Sequence, residues 1–270
     1  MSRSKLDLAV ELGYIVPEWS LEDYIRDAIR NYGWESIVIW GPKGSGKSNL
    51  MLQIGYMVYQ DWDLVLQHVI FEPSDFIRIT KEGGRIPWLG WDDIGVHLPR
   101  TLYFTDRKLW SAFKRNWDAF RTNLSVFTFT IPVKTNVASF LLDDATGEIF
   151  IGKRVGGSMV QVYEFQRWMW TIDYGAHDKA NFQMIQVEKA PLPYTPEQSR
   201  ALNSKLPGVP KEVFKKYWER RVQLAEKARQ DLYVLLEGLE GKKPKREVEP
   251  TEEEIRKAAS LLAKRSHKKI

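Results

Sequence analysis

Eight consecutive residues near the start of the chain have the types and spacing needed to hold phosphate groups. They read Gly41-Pro42-Lys43-Gly44-Ser45-Gly46-Lys47-Ser48 and match G-x-x-x-x-G-K-[ST] at every fixed position. Small residues let the backbone wrap closely, so that N–H groups point at the phosphates and a following helix adds its positive end. Lys47 is expected to neutralise β- and γ-phosphate oxygens, and Ser48 to offer its hydroxyl to Mg²⁺. The segment, with Asn49 directly after it, is therefore predicted to be a nucleotide-binding P-loop for ATP and Mg²⁺.

Two acidic residues further along supply the carboxylates that such a site requires. Asp92 and Asp93 follow the apolar residues 88–91 and precede Gly95. A P-loop enzyme needs a carboxylate at the end of a neighbouring strand to hold the magnesium through water. We expect Asp92 to orient the metal and Asp93 to act as general base or to polarise the attacking water. A pair of turn aspartates without a catalytic role is the alternative.

The flanking residues place the loop between a strand and a helix. Residues 36–40 form a short β-branched apolar run typical of a buried parallel strand, and residues 49–59 carry apolar side chains at helical spacing. Further strands are predicted at residues 67–71, 88–91 and 126–131, separated by helices. This alternation predicts an α/β fold, a mainly parallel P-loop NTPase sheet flanked by helices.

The pattern of apolar and aromatic residues changes beyond residue 145. Aromatic, β-rich stretches between residues 148 and 188 predict one or two β-hairpins added to the sheet. Residues 211–236 have the spacing of a long amphipathic helix, which predicts a carboxyl-terminal helical extension. We divide the chain into a P-loop ATPase core (1–145), a β-hairpin extension (146–190), a helical lid-like region (191–240) and a basic linker and helix (241–270).

The composition indicates an ordinary intracellular protein. Of the 270 residues, 43% are hydrophobic and 28% are charged, and no apolar run approaches the roughly 20 residues that cross a bilayer. The absence of cysteine excludes disulfides, thiolate metal sites and cysteine nucleophiles. Because the amino terminus also lacks the apolar region of a signal peptide, we expect a cytoplasmic protein with no membrane partner.

Positive charge is concentrated at the carboxyl end. Residues 241–270 hold ten Lys and Arg against five Glu, which accounts for the formal net charge of +5. Such a segment is either a nucleic-acid contact or a solvated tail. A DNA contact made there would be independent of sequence and weakened by salt.

The two motifs together resemble those of a known family. Over about residues 12–145, the P-loop and Asp92-Asp93-Ile94-Gly95 look like the replication-initiator and helicase-loader clade of AAA+ ATPases. The resemblance implies a polar sensor after the fourth strand. Asn136 is the preferred candidate because an amide both donates and accepts hydrogen bonds. Thr130 is the runner-up, and Thr135 is a further candidate.

The same resemblance implies residues that contact the base and the transferring phosphate. Residues 14–17, which include Ile15 and Val16, resemble the segment that packs on the adenine ring, although they could equally belong to the core. Arg154 or Arg100 would reach the site of an adjacent subunit in a homo-oligomer. Arg200 is the candidate for a second sensor on the lid. Similar small ATPases with unusual appendages are encoded by viruses and plasmids of archaea.

Three functions are compatible with these features. The preferred one is ATP hydrolysis coupled to rearrangement of a DNA-bound assembly, in replication initiation or helicase loading, with a replication protein as partner. A DNA translocation or packaging motor on a RecA-like sheet is the first alternative. A non-motor nucleotide switch acting on a protein partner is the second, and the fold does not decide among them.

Overall fold

The computed structural model describes residues 19–81, 83–152, 161–173 and 179–240. The chain divides into two compact units, Met1–Tyr217 and Trp218–Ile270. All strands of the described residues belong to the first unit, and the described part of the second unit is helical. None of the helices within these ranges combines the length and apolar character needed to span a bilayer.

Helices and strands alternate along the first unit. Its strands are β1 (Glu35–Trp40), β2 (Val69–Ile70), β3 (Ile86–Trp91), β4 (Leu124–Ile131), β5 (Gly147–Ile151), β6 (Gln161–Asp173) and β7 (Lys179–Leu192). Its helices are α1 (Leu21–Arg30), α2 (Lys47–Tyr59), α3 (Trp62–Gln67), α4 (Pro73–Lys81), α5 (Leu102–Thr105), α6 (Arg107–Asn123), α7 (Ser139–Asp143) and α8 (Pro196–Ala201). The last helix, α9 (Lys211–Glu240), begins in the first unit and continues into the second.

The seven strands form one sheet in the order β2-β3-β4-β1-β5-β6-β7. The pairs within β1 to β5 are parallel, whereas β6 is antiparallel to β5 and β7 is antiparallel to β6. The predicted fold class, a mostly parallel α/β sheet with an added β-hairpin and a carboxyl-terminal helix, is confirmed. Because β5 pairs directly with β1, the β6–β7 hairpin continues the core sheet.

The strand that precedes the acidic pair is not the neighbour of the P-loop strand, so that part of our expectation was wrong. β4 lies between β1 and β3 in the sheet. The helical connection between two successive strands can leave room in the sheet for a third strand between them. The number of residues between the two strands does not show whether it does so. The register pairs Ile39 with Thr130 and Trp91 with Phe129, so the carboxyl ends of all three strands lie at one edge.

The stretch at residues 67–71 also differs from its prediction as a strand. Only Val69 and Ile70 are strand, and they follow helix α3. Asp61 caps α3, since its carboxylate accepts hydrogen bonds from the N–H groups of Asp63 and Leu64. A cap of this type stabilises the first turn of a helix, and the helix extends to Gln67, the first residue of the expected strand.

A fully buried tryptophan joins the P-loop helix to the strand of the acidic pair. Trp88 on β3 has no exposed surface, and its indole N–H donates to Thr128 Oγ1 at 3.0 Å. The ring lies against α2 at Gly55, where a Cβ atom would be 2.7 Å from it. The absence of a side chain at Gly55 therefore sets how closely α2 approaches the sheet.

We expect Gly55→Ala to lower the free energy of unfolding by about 1–3 kcal/mol, because the added methyl group overpacks an enclosed ring. The higher helix propensity of Ala, worth about 1 kcal/mol, offsets only part of this cost. Urea unfolding measures the difference. Gly152→Ala is the matched control, since the nearest atom to a Cβ there is 3.7 Å away. Equal urea midpoints for Gly55→Ala and wild type would contradict the proposed packing.

Candidate functional site

The P-loop connects the end of β1 to the first turn of α2. Gly46, directly before the helix, has φ 92°, a left-handed conformation that glycine adopts without steric cost. A Cβ atom at Gly46 would also lie 2.6 Å from the hydroxyl oxygen of Tyr194. Because α2 begins at Lys47, the positive end of its dipole lies at the loop. This arrangement attracts anions.

The side chain of Lys47 is folded back into the loop. It is 7% exposed, and its Nζ donates to the carbonyl oxygens of Gly41 and Pro42, both at 2.9 Å. Both partners are neutral. An ionised phosphate oxygen is a stronger acceptor for an ammonium group, so these bonds can be exchanged for bonds to a phosphate.

Hydroxyl groups from three elements converge on Asp92. Ser48 Oγ and Thr130 Oγ1 donate to Asp92 Oδ1 at 2.8 and 2.7 Å, and the hydroxyl of Tyr217 donates to Oδ2 at 2.5 Å. Asp92 itself is only 3% exposed. Hydrogen bonds to an ionised carboxylate are stronger than neutral ones, and they hold this side chain in one orientation.

The contact between Ser48 and Asp92 fits the requirements of a magnesium ion. Mg²⁺ prefers hard oxygen ligands, and it is commonly bound through one or two protein oxygens together with waters and substrate phosphates. The hydroxyl of Ser48 and the carboxylate of Asp92 are 2.8 Å apart at the first turn of α2. The residues that would hold the metal are thus already together beside the phosphate loop.

Asp93 lies next to this pair in an unusual backbone conformation. Its φ of 48° and ψ of 43° are left-handed, and its N–H donates to Thr130 Oγ1 at 2.8 Å. Thr130 therefore accepts a hydrogen bond from the backbone of Asp93 and donates one to the side chain of Asp92. One hydroxyl fixes both acidic residues.

The sensor candidates are placed differently from one another. Thr130 is fully buried and contacts Asp92 directly. Asn136 lies exposed in the 3-10 turn Lys134–Asn136, beyond the end of β4, with its carbonyl oxygen close to Gly95. Thr135, in the same turn, is also exposed. Of the three candidates, the structure brings Thr130 to the acidic pair.

The remaining candidates are not part of this cluster. Arg100 is exposed. Arg200 is exposed on α8, and its guanidinium lies 3.6 Å from the carboxylate of Glu197. Ile15, Val16 and Arg154 lie outside the described residues.

Two tyrosines near the loop were not identified from the sequence. Tyr217 shares a buried face of α9 with Val213, four residues before it, so helical periodicity indicated its burial but not its partner. Tyr194 lies in the region 191–240, which was predicted to be helical and lid-like. Its hydroxyl donates to the carbonyl oxygen of Ser45 at 3.4 Å and to Gln161 Oε1. No local pattern links either residue to the P-loop.

Comparison with known proteins identifies a viral relative. No family model matches the chain. The uncharacterized protein B-251 of Sulfolobus spindle-shape virus 1 is 28% identical over an alignment of 137 residues, and the match covers 46% of this chain and 54% of the relative. The match therefore spans about half the length of this curated relative. It agrees with the predicted likeness to proteins of archaeal viruses.

Several solved structures show distant similarity. The genome packaging NTPase B204 from Sulfolobus turreted icosahedral virus 2, in complex with ATP-gammaS, is 13% identical with a TM-score of 0.33, covering 56% of this chain and 96% of that one. The N-terminal domain of zonular occludens toxin from Neisseria meningitidis is 11% identical with a TM-score of 0.29, covering 57% and 95%. The flagellar accessory protein FlaH from Methanocaldococcus jannaschii is 13% identical with a TM-score of 0.31, covering 64% and 98%. At these values the likenesses do not indicate what this chain binds.

Proposed function

We propose that this protein binds ATP with Mg²⁺ and hydrolyses it. The observation that carries the proposal is the 2.8 Å contact between Ser48 and Asp92 at the start of the P-loop helix. Lys47 exchanges its two carbonyl partners for phosphate oxygens, and Ser48 and Asp92 hold the metal. A Mg²⁺ ion held by Ser48 and Asp92 would supply positive charge beside the phosphates.

The two acidic residues have different proposed roles. Asp92 is buried and its carboxylate is held by hydroxyl groups, which suits a role in orienting the metal. Asp93 is half-buried, and its carboxylate takes the proton of the attacking water or polarises that water. Thr130 keeps the two residues in a fixed relation. Asn136 is the proposed sensor of the γ-phosphate, with Thr130 as the alternative.

The finer proposal is that the ATP cycle rearranges a DNA-bound assembly. It is supported by the Asp92-Asp93-Ile94-Gly95 motif, which resembles replication initiators and helicase loaders, and by the basic residues 241–270. In this proposal the protein is a homo-oligomer that acts with a replication protein, and Arg154 completes the site of the adjacent subunit. The domain divisions at residues 145, 190 and 240 are part of the same proposal.

Measurements of ATPase rate and oligomeric mass, with and without double-stranded DNA, test this proposal. We expect slow turnover, a rise in mass with ATP, and DNA binding that weakens with salt and is lost when residues 241–270 are deleted. Fast turnover that DNA stimulates strongly would instead indicate a translocation or packaging motor. ATP hydrolysis without any DNA binding would indicate a switch that acts on a protein. Failure to hydrolyse ATP under all conditions would contradict the enzyme assignment.

A further inference from the structure

A cavity of about 630 Å³ lies beside the P-loop and is not part of the phosphate and metal site. Pockets that hold small organic ligands have volumes of about 300–1,000 Å³. Residues from three segments line it: Asn49 of α2, residues 194–197 after β7, and residues 209–212 with Phe214 around the start of α9. Its size suits an organic ligand larger than a phosphate group.

The position of the cavity relates it to the P-loop. Asn49 belongs to the first turn of α2, two residues after Lys47, and it is buried. Tyr194 forms part of the cavity wall, and its hydroxyl contacts the carbonyl oxygen of Ser45 within the loop. The cavity therefore borders the first turn of the P-loop helix and, through Tyr194, the loop itself.

The walls are held in place by contacts that do not depend on a ligand. Asn49 Nδ2 and Gln53 Nε2 both donate to the carbonyl oxygen of Pro193, at 3.1 and 2.5 Å. The N–H of Val209 donates to the carbonyl oxygen of Tyr194 at 3.1 Å. Gly208 approaches the other wall so closely that a Cβ atom there would lie 1.9 Å from the carbonyl carbon of Thr195. A preformed pocket of this kind binds without a large ordering cost.

The lining is suited to an aromatic ring that carries hydroxyl groups. Tyr194 and Phe214 offer aromatic faces, and Val209 and Pro196 are apolar. Phe214 is 38% exposed, so part of its side chain is accessible to a ligand in the cavity. The carboxylates of Glu197 and Glu212 are acceptors for ligand hydroxyl groups.

We propose that this cavity receives the nucleoside part of the triphosphate whose phosphates lie in the P-loop, with the base against Tyr194 and Phe214 and the ribose towards the two glutamates. The inference rests on the proposed nucleotide-binding function and adds the site of the base. Residues 15 and 16, which the sequence suggested for this role, lie outside the described residues. The cavity is instead lined mainly by residues that follow β7 in the sequence.

Two affinities test the inference, that for ATP and that for tripolyphosphate. Both are measured with Mg²⁺ present, for the full-length wild-type protein and for Phe214→Ala. Stacking of a base on an aromatic side chain is lost in the variant, so the affinity for ATP should fall by about tenfold or more. The affinity for tripolyphosphate, which has no nucleoside, should not change. Phe104→Ala removes an aromatic side chain that is 84% exposed elsewhere on the first unit, and it should alter neither affinity.

The outcomes separate this inference from the proposed function. Wild-type affinity for ATP in Phe214→Ala would overturn the nucleoside site and leave the phosphate site intact. Equal weakening of ATP and tripolyphosphate would also overturn it, because it would show that Phe214 acts through the structure of the loop. If the wild-type protein bound neither compound, the proposed nucleotide function would fail together with this site. Photolabelling by an azidopurine triphosphate within residues 194–214 would support the site, and labelling only elsewhere would overturn it.

Discussion

Replacing Lys47 with alanine is expected to weaken ATP binding by about 100-fold or more. The ammonium group is nearly buried in the loop, and in the bound state it makes charge-assisted hydrogen bonds to phosphate oxygens. Each such bond contributes about 1.5–3 kcal/mol, and a change of 1.4 kcal/mol corresponds to a tenfold change in affinity. Isothermal titration with ATP and Mg²⁺ measures the loss.

Lys43→Ala provides the comparison for this variant. Lys43 lies in the same loop at a position that the motif leaves open, and its side chain is exposed. Its role in the predicted site comes from its backbone, which the substitution keeps, so its effect should be much smaller than that of Lys47→Ala. Near-ultraviolet circular dichroism checks that both variants remain folded. If Lys47→Ala bound ATP as tightly as the wild type, the phosphate site would have to lie elsewhere.

Asp93→Asn is expected to reduce the turnover of ATP by about 100-fold or more while ATP affinity changes little. General-base catalysis contributes about 10²- to 10⁴-fold, and an amide cannot accept the proton that a carboxylate accepts. Asparagine is the appropriate substitution because it tolerates the left-handed backbone that Asp93 adopts, with φ 48°. The N–H bond to Thr130 is also kept. Single-turnover assays separate hydrolysis from binding.

A second substitution distinguishes the roles of the two acids. Asp92→Asn removes the charge that the hydroxyl groups of Ser48, Thr130 and Tyr217 surround. It should weaken the dependence of ATP binding on Mg²⁺, which Asp93→Asn should preserve. Normal turnover by Asp93→Asn would remove that residue from the catalytic role. Identical behaviour of the two variants would show that the acids are not specialised.

The sequence predicted the parts of the site that are local in the chain. The P-loop could be located because its function needs small residues, a lysine and a hydroxyl at fixed spacing between a strand and a helix. Asp92 and Asp93 could be found because they follow a buried strand. The expected helix at residues 211–236 agrees closely with α9, since its apolar side chains repeat at helical spacing.

The parts that depend on spatial order could not be predicted. The position of β4 between β1 and β3 brings Thr130 next to Asp92, and no local pattern records strand order. Tyr217 is separated from Asp92 by 125 positions, and only the docking of α9 brings them together. Helix α3 was not predicted from the sequence, because it is short and a single residue, Asp61, marks its start.

The hydroxyl groups around Asp92 come from positions 44, 38 and 125 residues away in the chain. Closing such long loops has an entropic cost that is repaid only when the intervening segments have folded. The surroundings of this carboxylate are therefore complete only when α2, β4 and α9 have all come together at the end of β3. A ligand that binds there selects the fully assembled unit over partly unfolded forms, so that its binding energy stabilises remote helices and strands as well as its own contacts.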